Sequence, residues 1–137
     1  MMDEIGNSLL TEKGAALLYA RAWNRLDPTE LIGHLAENVR HESQNVWTPL
    51  QSAGVVADYL IGKMDTIRKN PENRVYAELA EAVFISIRPC VLVAQSDPDN
   101  LLAVVLFGVS GNKIISIDIC SGVPHPRSAK RSGIYPE

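Results

Sequence analysis

Three polar side chains, His41, Ser43 and Asn45, stand at every second position of a segment that reads as a β-strand. Alternate residues of a strand point to the same face, so these three share one side. A histidine near a serine suggests nucleophilic catalysis, but neighbours two positions apart lie side by side, and the sequence shows no third group that would orient the histidine. We therefore expect a polar strand face, either lining a cavity or lying at a sheet edge, rather than a serine hydrolase.

Asp118 is the most informative acid, because it is the sole charge in the strand-like run of residues 114–120. Burial among isoleucines would raise the pKa of its carboxyl group toward the range of a general acid or base. The alternation of the strand also places Ser116, Asp118 and Cys120 on one face. That face is equally well the solvated or dimer-facing side of a sheet, so both roles remain open at this stage.

Patterns that hold metals or nucleotides are missing from the sequence. The three histidines, His34, His41 and His125, lie in a predicted helix, a strand and the C-terminal segment, without the close spacing of metal ligands. The glycine patterns GxGxxG and GxxxxGK, which cradle phosphates, do not occur. We predict no metal and no cofactor.

The composition excludes several classes of function. The chain has 137 residues, of which 46% are hydrophobic and 21% charged, as is typical of one globular domain with its own core. A formal net charge of −3 provides no positive field for nucleic acid or a membrane surface. No apolar run approaches the roughly 20 residues of a membrane-spanning helix. With acids near the first residue and cysteines only at Cys90 and Cys120, we expect a cytoplasmic protein whose thiols are buried and unreactive.

Three helices are predicted to position the candidate residues. Residues 9–26 carry apolar side chains at spacings of three and four, the pattern of a helix with one face on a core. A second helix is predicted to begin at Asp27-Pro28, which suits a cap and a first helical position, and to continue to residue 39. Residues 54–70 repeat the helical pattern and stop before Pro71.

The remaining pattern is that of β-strands. Residues 40–47 form one predicted strand, ended by Thr48-Pro49, and four more are predicted at 74–87, 90–95, 101–109 and 113–120. Helices followed by hairpin-linked strands predict an α+β domain over residues 1–121, with the helices on one face of a single sheet. Residues 122–137 contain prolines and basic residues without a hydrophobic period and are predicted to be a C-terminal tail or extended arm.

The segment AWNRLDPTELIGHLAENV at 22–39, preceded by Tyr19 and followed by a strand, a glycine before the third helix and an antiparallel run, resembles the nuclear transport factor 2-like superfamily. The similarity is strongest to its polyketide cyclase-like and ketosteroid isomerase-like branch and covers nearly the whole chain. It implies a cone-shaped fold in which a curved, antiparallel or mixed β-sheet wraps three N-terminal helices around an internal pocket. It also implies a homodimer that pairs through the sheet.

The resemblance suggests roles for individual residues. Tyr19 matches the tyrosine that donates to an oxyanion in ketosteroid isomerases, with a core aromatic role as the alternative. The family's base falls at Ser43, and its second acid falls on apolar residues, so steroid isomerase chemistry is not the leading interpretation. Asp118 matches the late-strand acid of polyketide cyclase-like members. His41 and Ser43 are expected to face the pocket and Asn45 its mouth, and four aromatic residues are expected at its wall, with a plain core role as the alternative: Trp23, Trp47, Tyr59 and Phe107.

Three hypotheses follow. The first is a cavity protein that binds a small, mostly apolar molecule. The second is a cofactor-independent lyase, isomerase or cyclase in which Asp118 transfers protons while Tyr19, His41 or Ser43 polarises a carbonyl group. The third is a dimeric interaction module whose pocket is vestigial. An open cavity favours the first two, and the second requires Asp118 to line that cavity.

Overall fold

The computed structural model describes residues 9–84 and 86–137, and in them three α-helices cover one face of a seven-stranded sheet. The helices are α1 (Glu12–Arg25), α2 (Thr29–Gly33) and α3 (Ala53–Lys69). The strands are β1 (Leu35–Ser43), β2 (Val46–Gln51), β3 (Val75–Val83), β4 (Ile87–Gln95), β5 (Leu101–Ser110), β6 (Lys113–Cys120) and β7 (Lys130–Ile134). Their order in the sheet is β2-β1-β6-β5-β4-β3-β7, and every pairing is antiparallel except that of β1 with β6. The predicted α+β class and mixed, curved sheet are confirmed.

The sheet curves because its strands carry irregularities that bend them. The register shifts between His41 and Ser43 on β1, between Val93 and Ala94 on β4, and after Gly108 on β5. An extra residue on one strand bends that strand and increases its twist. A bent sheet cannot press its whole concave face against straight helices, and the space that remains between them becomes a cavity.

The curved sheet wraps around helix α1. Thr11 caps its first turn by accepting a hydrogen bond from the Gly14 backbone N–H at 2.9 Å. Its buried face includes Tyr19 and Trp23, one helical turn apart, and the helix ends at Leu26, whose φ of 55° is left-handed. The side chain of Tyr19 packs edge-on against Phe107 of β5, with ring centroids 5.3 Å apart. This contact fixes the helix on the sheet.

The second helix is shorter than predicted, and the segment predicted as a single strand after it belongs to a hairpin of two strands. Helix α2 ends at Gly33, and β1 begins at Leu35. A spacing of four, as between Leu35 and Val39, is one helical turn but also two repeats of a strand, so the apolar pattern fits both. Chain reversal at Gln44–Asn45 then starts β2, which contains Pro49 rather than ending before it. Because β2 lies at the sheet edge, a proline without an N–H is tolerated there.

The C-terminal segment is not a solvated tail, because β7 pairs with β3 at the other sheet edge. Glu78 of β3 is only 2% exposed and holds the segment in place. Its carboxylate accepts hydrogen bonds from Arg131 Nε at 2.9 Å, from the Gly133 backbone N–H at 2.7 Å and from the Tyr135 hydroxyl at 3.3 Å. Of the two alternatives predicted for 122–137, a tail or an extended arm, residues 130–134 form an extended arm that pairs with the sheet.

The outer face of the sheet carries a second, smaller apolar cluster, centred on Leu92 and Val104. Both cysteines lie in it as free thiols, in agreement with the prediction that they serve packing. Burial raises the pKa of the Cys90 thiol to about 12, which keeps it protonated and unreactive. None of the described helices has the length and apolarity needed to cross a membrane.

Candidate functional site

A cavity of about 400 Å³ lies between the concave face of the sheet and helices α1 and α3. This volume is within the range of small-molecule sites. The cavity is open rather than filled by aromatic side chains, which argues against a vestigial pocket. It is lined mainly by apolar and aromatic residues, with a few polar ones: Tyr19, Trp23, His41, Ser43, Asn45, Val46, Thr48, Leu50, Tyr59, Lys63, Ile67, Val75, Val93, Gln95, Leu102, Ala103, Val105 and Ile119.

Four ring side chains form the inner part of the wall. Tyr19 and Trp23 project from α1 with ring centroids 6.2 Å apart, and the rings of His41 on β1 and Tyr59 on α3 lie 5.1 Å apart. The two pairs come from three different elements, so only the folded chain brings them together. Each ring offers an apolar surface together with one polar edge.

Two of these rings carry buried polar atoms without a partner. Trp23 is 8% exposed and His41 is 5% exposed. Neither the Trp23 indole Nε1 nor the His41 Nε2 makes a hydrogen bond in the described structure. A buried polar atom left unpaired costs about 1–3 kcal/mol, so native proteins rarely retain one without a reason. Two of the residues that line the cavity therefore each carry a polar atom whose hydrogen-bonding capacity is unused.

Burial decides the protonation of the same rings. It lowers the pKa of His41 below its ordinary value, so the imidazole is neutral at neutral pH. It raises the pKa of both Tyr19 and Tyr59, so both phenols keep their protons. The Trp23 indole N–H lies close enough to the Tyr19 hydroxyl for hydrogen bonding to oppose this rise in pKa, although the contact does not reach the geometry of a full hydrogen bond. The inner wall is therefore uncharged and offers both donors and an acceptor.

The mouth of the cavity is more polar than the inner wall. Ser43 follows His41 on the inward face of β1, and Asn45 lies in the turn before β2. These placements agree with the sequence prediction for all three residues. The Ser43 hydroxyl accepts a hydrogen bond from the Asn45 backbone N–H at 3.4 Å. Within residues 9–84 and 86–137 the Ser43 hydroxyl makes no hydrogen bond to a base, and it does not form a hydrolytic dyad with His41, its neighbour along the strand.

The structure decides between the two placements left open for Asp118, because this residue does not line the cavity. Its neighbour Ile119 does, and alternation along β6 turns Asp118 to the outer face of the sheet. There it pairs across the strands with Glu42. Its pKa is raised, first by burial and then by the Glu42 carboxylate. The alternative in which Asp118 transfers protons within this cavity is overturned by the sheet that separates them.

Two aromatic residues predicted at the cavity wall are also elsewhere. Trp47 is completely exposed, because Val46 and Thr48 on either side of it line the cavity and the alternation of β2 directs the indole outward. Phe107 is fully buried beneath Tyr19 and belongs to the core. The other six predicted residues line the cavity: Tyr19, Trp23, His41, Ser43, Asn45 and Tyr59.

Sequence reasoning missed Lys63, Thr48 and Gln95, which also line the cavity. The signal for Lys63 was present, since it follows Tyr59 by four residues and so lies on the same face of α3. Gln95 is the last residue of β4, and its Nε2 donates to the Asn73 carbonyl at 3.0 Å. Sequence patterns contain no comparable sign for it.

The cavity wall contains no aspartate or glutamate among the residues that the structure describes. Within the same part of the chain, no three histidine, cysteine, aspartate or glutamate side chains are grouped as metal ligands. The arrangement can bind an apolar body, donate a hydrogen bond from an indole, accept one at an imidazole, and use that neutral imidazole as a base. Carboxylate chemistry of the ketosteroid isomerase kind is not supported by this wall.

Comparison with known proteins was made by sequence and by structure. No protein-family model and no curated protein matches the chain by sequence. A candidate ketosteroid isomerase from Kribbella flavida DSM 17836 is similar in structure, with a TM-score of 0.53, 18% identity, and coverage of 80% of this chain and 76% of that one. A nuclear transport factor 2-like protein of unknown function from Cytophaga hutchinsonii ATCC 33406 has a TM-score of 0.53, 13% identity, and coverage of 82% and 90%.

A third similar structure is that of a candidate polyketide cyclase from Sinorhizobium meliloti, with a TM-score of 0.54 and 13% identity. The match covers 74% of this chain and 89% of that one. At sequence identities this low, structural similarity establishes the fold but not the activity. The three helices, the curved mixed sheet and the cavity between them agree with these structures, and the chain has the fold of the nuclear transport factor 2-like proteins.

Proposed function

We propose that this protein binds a small, mostly apolar molecule bearing a hydroxyl or carbonyl oxygen. The observation that supports this most directly is an open, mostly apolar cavity lined by Trp23 and His41, two residues that each have a buried ring nitrogen without a hydrogen-bond partner. Transfer of an apolar ligand from water into such a cavity is favourable in free energy. A polar group on the ligand loses hydrogen bonds to water and forms new ones with the cavity wall.

The two atoms have complementary hydrogen-bonding roles. The indole Nε1 is a donor only. In a neutral imidazole one ring nitrogen is a donor and the other is an acceptor. In the tautomer that carries the proton on Nδ1, the unpartnered Nε2 of His41 is the acceptor. A ligand hydroxyl would satisfy both atoms, whereas a carbonyl would satisfy the indole alone.

The similar structures support the same class of ligand. The words ketosteroid and polyketide in two of their descriptions denote carbon skeletons that bear carbonyl groups. A ligand of that kind has the apolar body and the oxygen that this cavity accommodates. The proposal carries over only this ligand class and not the activities of those proteins.

A neutral, carbonyl-bearing fluorophore tests the proposal directly. Prodan is an apolar naphthyl ketone whose emission shifts to the blue when it leaves water. We expect saturable binding with a blue shift, and weaker binding by about tenfold in Trp23→Phe, since a hydrogen bond contributes about 1 kcal/mol or slightly more. Asp118→Asn on the outer face is the matched control and should bind prodan as the wild type does.

Two results would contradict the proposal. One is the absence of saturable binding by the wild type. The other is equal loss in Trp23→Phe and Asp118→Asn, which would place the probe outside the cavity. Native mass spectrometry of protein purified without denaturation provides an independent readout, since a retained molecule adds its mass to that of the protein.

A second candidate function is proton transfer by His41. Its imidazole is the one group on the described cavity wall that titrates near neutral pH, and burial keeps it unprotonated there. A general base must be within hydrogen-bond reach of the proton it removes, and no partner in the described structure competes for Nε2. We expect the wild type to accelerate the exchange of deuterium from solvent into the α-position of β-tetralone, followed by NMR. An unchanged rate in His41→Leu would contradict this role.

A further inference from the structure

The cavity carries one formal charge, and that charge is positive. Of the 18 residues that line it, Lys63 is the only one with a charged side chain, and neither aspartate nor glutamate occurs in this described set. The chain as a whole has a formal net charge of −3. A positive charge at the cavity of a net negative protein is therefore a local feature and not part of a general basic surface.

The position of Lys63 follows from the periodicity of α3. Tyr59, Lys63 and Ile67 are spaced by four residues, so they lie on one face of the helix, and all three line the cavity. Tyr59 contacts the His41 ring on the inner side. Lys63 is exposed and stands where the cavity meets solvent. The flexible stem of a lysine lets its ammonium group reach a ligand there while remaining hydrated.

Lys63 is also free to bind. Among the described residues no carboxylate lies within 4.0 Å of its ammonium group. Lys69 on the same helix provides the contrast, because its Nζ pairs with Asp65 at 3.2 Å. The polar neighbours of Lys63 around the mouth, Asn45, Thr48 and Gln95, are neutral. No resident anion on the described wall compensates the charge of this lysine.

From these observations we infer that the ligand is an apolar monocarboxylic acid whose carboxylate pairs with Lys63 at the cavity mouth. The inference rests on the proposed function and deepens it. The apolar body lies between the aromatic wall and the sheet, an oxygen meets Trp23 and His41 at the inner end, and the acid stays at the solvent side. One lysine provides a point charge without the fork of an arginine, which suits a single negative charge. Because the carboxylate is not taken deep into the protein, its desolvation cost is small.

A matched pair of ligands separates this inference from the proposed function. Naphthaleneacetic acid and naphthaleneacetamide share shape and apolar area and differ in charge. Each is titrated against bound prodan. Displacement by the neutral amide reports the cavity itself, while the ratio of the two dissociation constants reports the charge at its mouth. We expect the acid to bind about fivefold more tightly than the amide at low salt, and the ratio to fall as salt is added.

Variants on α3 assign the effect to one residue. Lys63→Gln should bring the ratio of the two dissociation constants to about one, whatever the change in the affinity for the amide itself. Lys69→Gln removes the same charge from the same helix at a site that does not line the cavity, and it should keep the wild-type ratio. Lys63→Glu should reverse the preference and favour naphthylmethylamine over the acid.

Several outcomes would overturn the inference. They are equal affinity of the wild type for acid and amide, failure of the acid to displace prodan, an unchanged ratio in Lys63→Gln, and equal loss in the Lys63 and Lys69 variants. In each of these cases prodan binding that depends on Trp23 leaves the proposed function standing. Absence of all prodan binding contradicts the proposed function and the inference together.

Discussion

Replacing His41 by leucine should make the unliganded protein more stable and less able to bind. His41 is 5% exposed, and its Nε2 has no partner, an arrangement that costs about 1–3 kcal/mol. Leucine has a similar volume and no polar atom, so it removes this cost. The expected net gain at about pH 8 is about 1 kcal/mol, or about 3 °C in Tm.

The advantage of the variant should grow as the pH falls. Burial lowers the pKa of His41 in the folded state below the ordinary value of 6.5. Above that value both states are neutral and the group contributes nothing to pH dependence. As the pH falls through it, the unfolded chain takes up a proton that the folded protein resists, so the wild type loses stability. At about pH 5.5 the loss is at most about 1.4 kcal/mol, and His41→Leu does not suffer it.

Equilibrium urea unfolding followed by circular dichroism, at about pH 8 and about pH 5.5, measures both effects. Other titrating groups, Asp118 among them, are common to the two proteins and cancel in the difference. A His41→Leu variant that is less stable than wild type by about 1 kcal/mol or more at both pH values would refute the reasoning, since it would show that Nε2 has a partner in the folded protein.

Three further predictions concern the scaffold. Glu78→Gln should lower the free energy of unfolding by about 2 kcal/mol, less than the loss of a fully buried ion pair, because Arg131 is 36% exposed. Amide hydrogen exchange in β7 should accelerate in the variant; an unchanged exchange rate would contradict the role of Glu78 in holding β7. Gly108→Ala should cost about 1 kcal/mol, because its Cβ would lie 2.3 Å from the Ser116 hydroxyl, and adding Ser116→Ala should restore stability in the same urea titration. We also propose that two copies pair through the outer face of the sheet, where Trp47 is fully exposed; native mass spectrometry should then show a dimer that Trp47→Glu weakens at least tenfold, and a monomer at all concentrations would contradict it.

Local patterns in the sequence were sufficient for the parts of the fold that depend on neighbours in the chain. Residues 12–25 and 53–69 form helices close to the predicted ones, because a spacing of three and four is a property of the chain itself. The antiparallel order of β3, β4, β5 and β6 also followed, since short turns join them. Period-two alternation correctly placed His41 and Ser43 on one side of β1.

The tertiary structure decided what alternation leaves open. A period of two shows which residues of a strand share a face, but the choice between the concave and the outer face depends on what packs against the sheet. For that reason the face of Asp118 stayed open until the structure placed it outside the cavity, and Trp47, which was expected at the cavity wall, also lies outside it. The pairing of β7 with β3 joins segments about 50 residues apart along the chain, and no local signal specifies such a contact. The spacing from Tyr59 places Lys63 on the same face of α3, but only the packing of α3 against the curved sheet makes that face part of the cavity wall. A cavity forms between surfaces that meet in space and is not a property of any one segment.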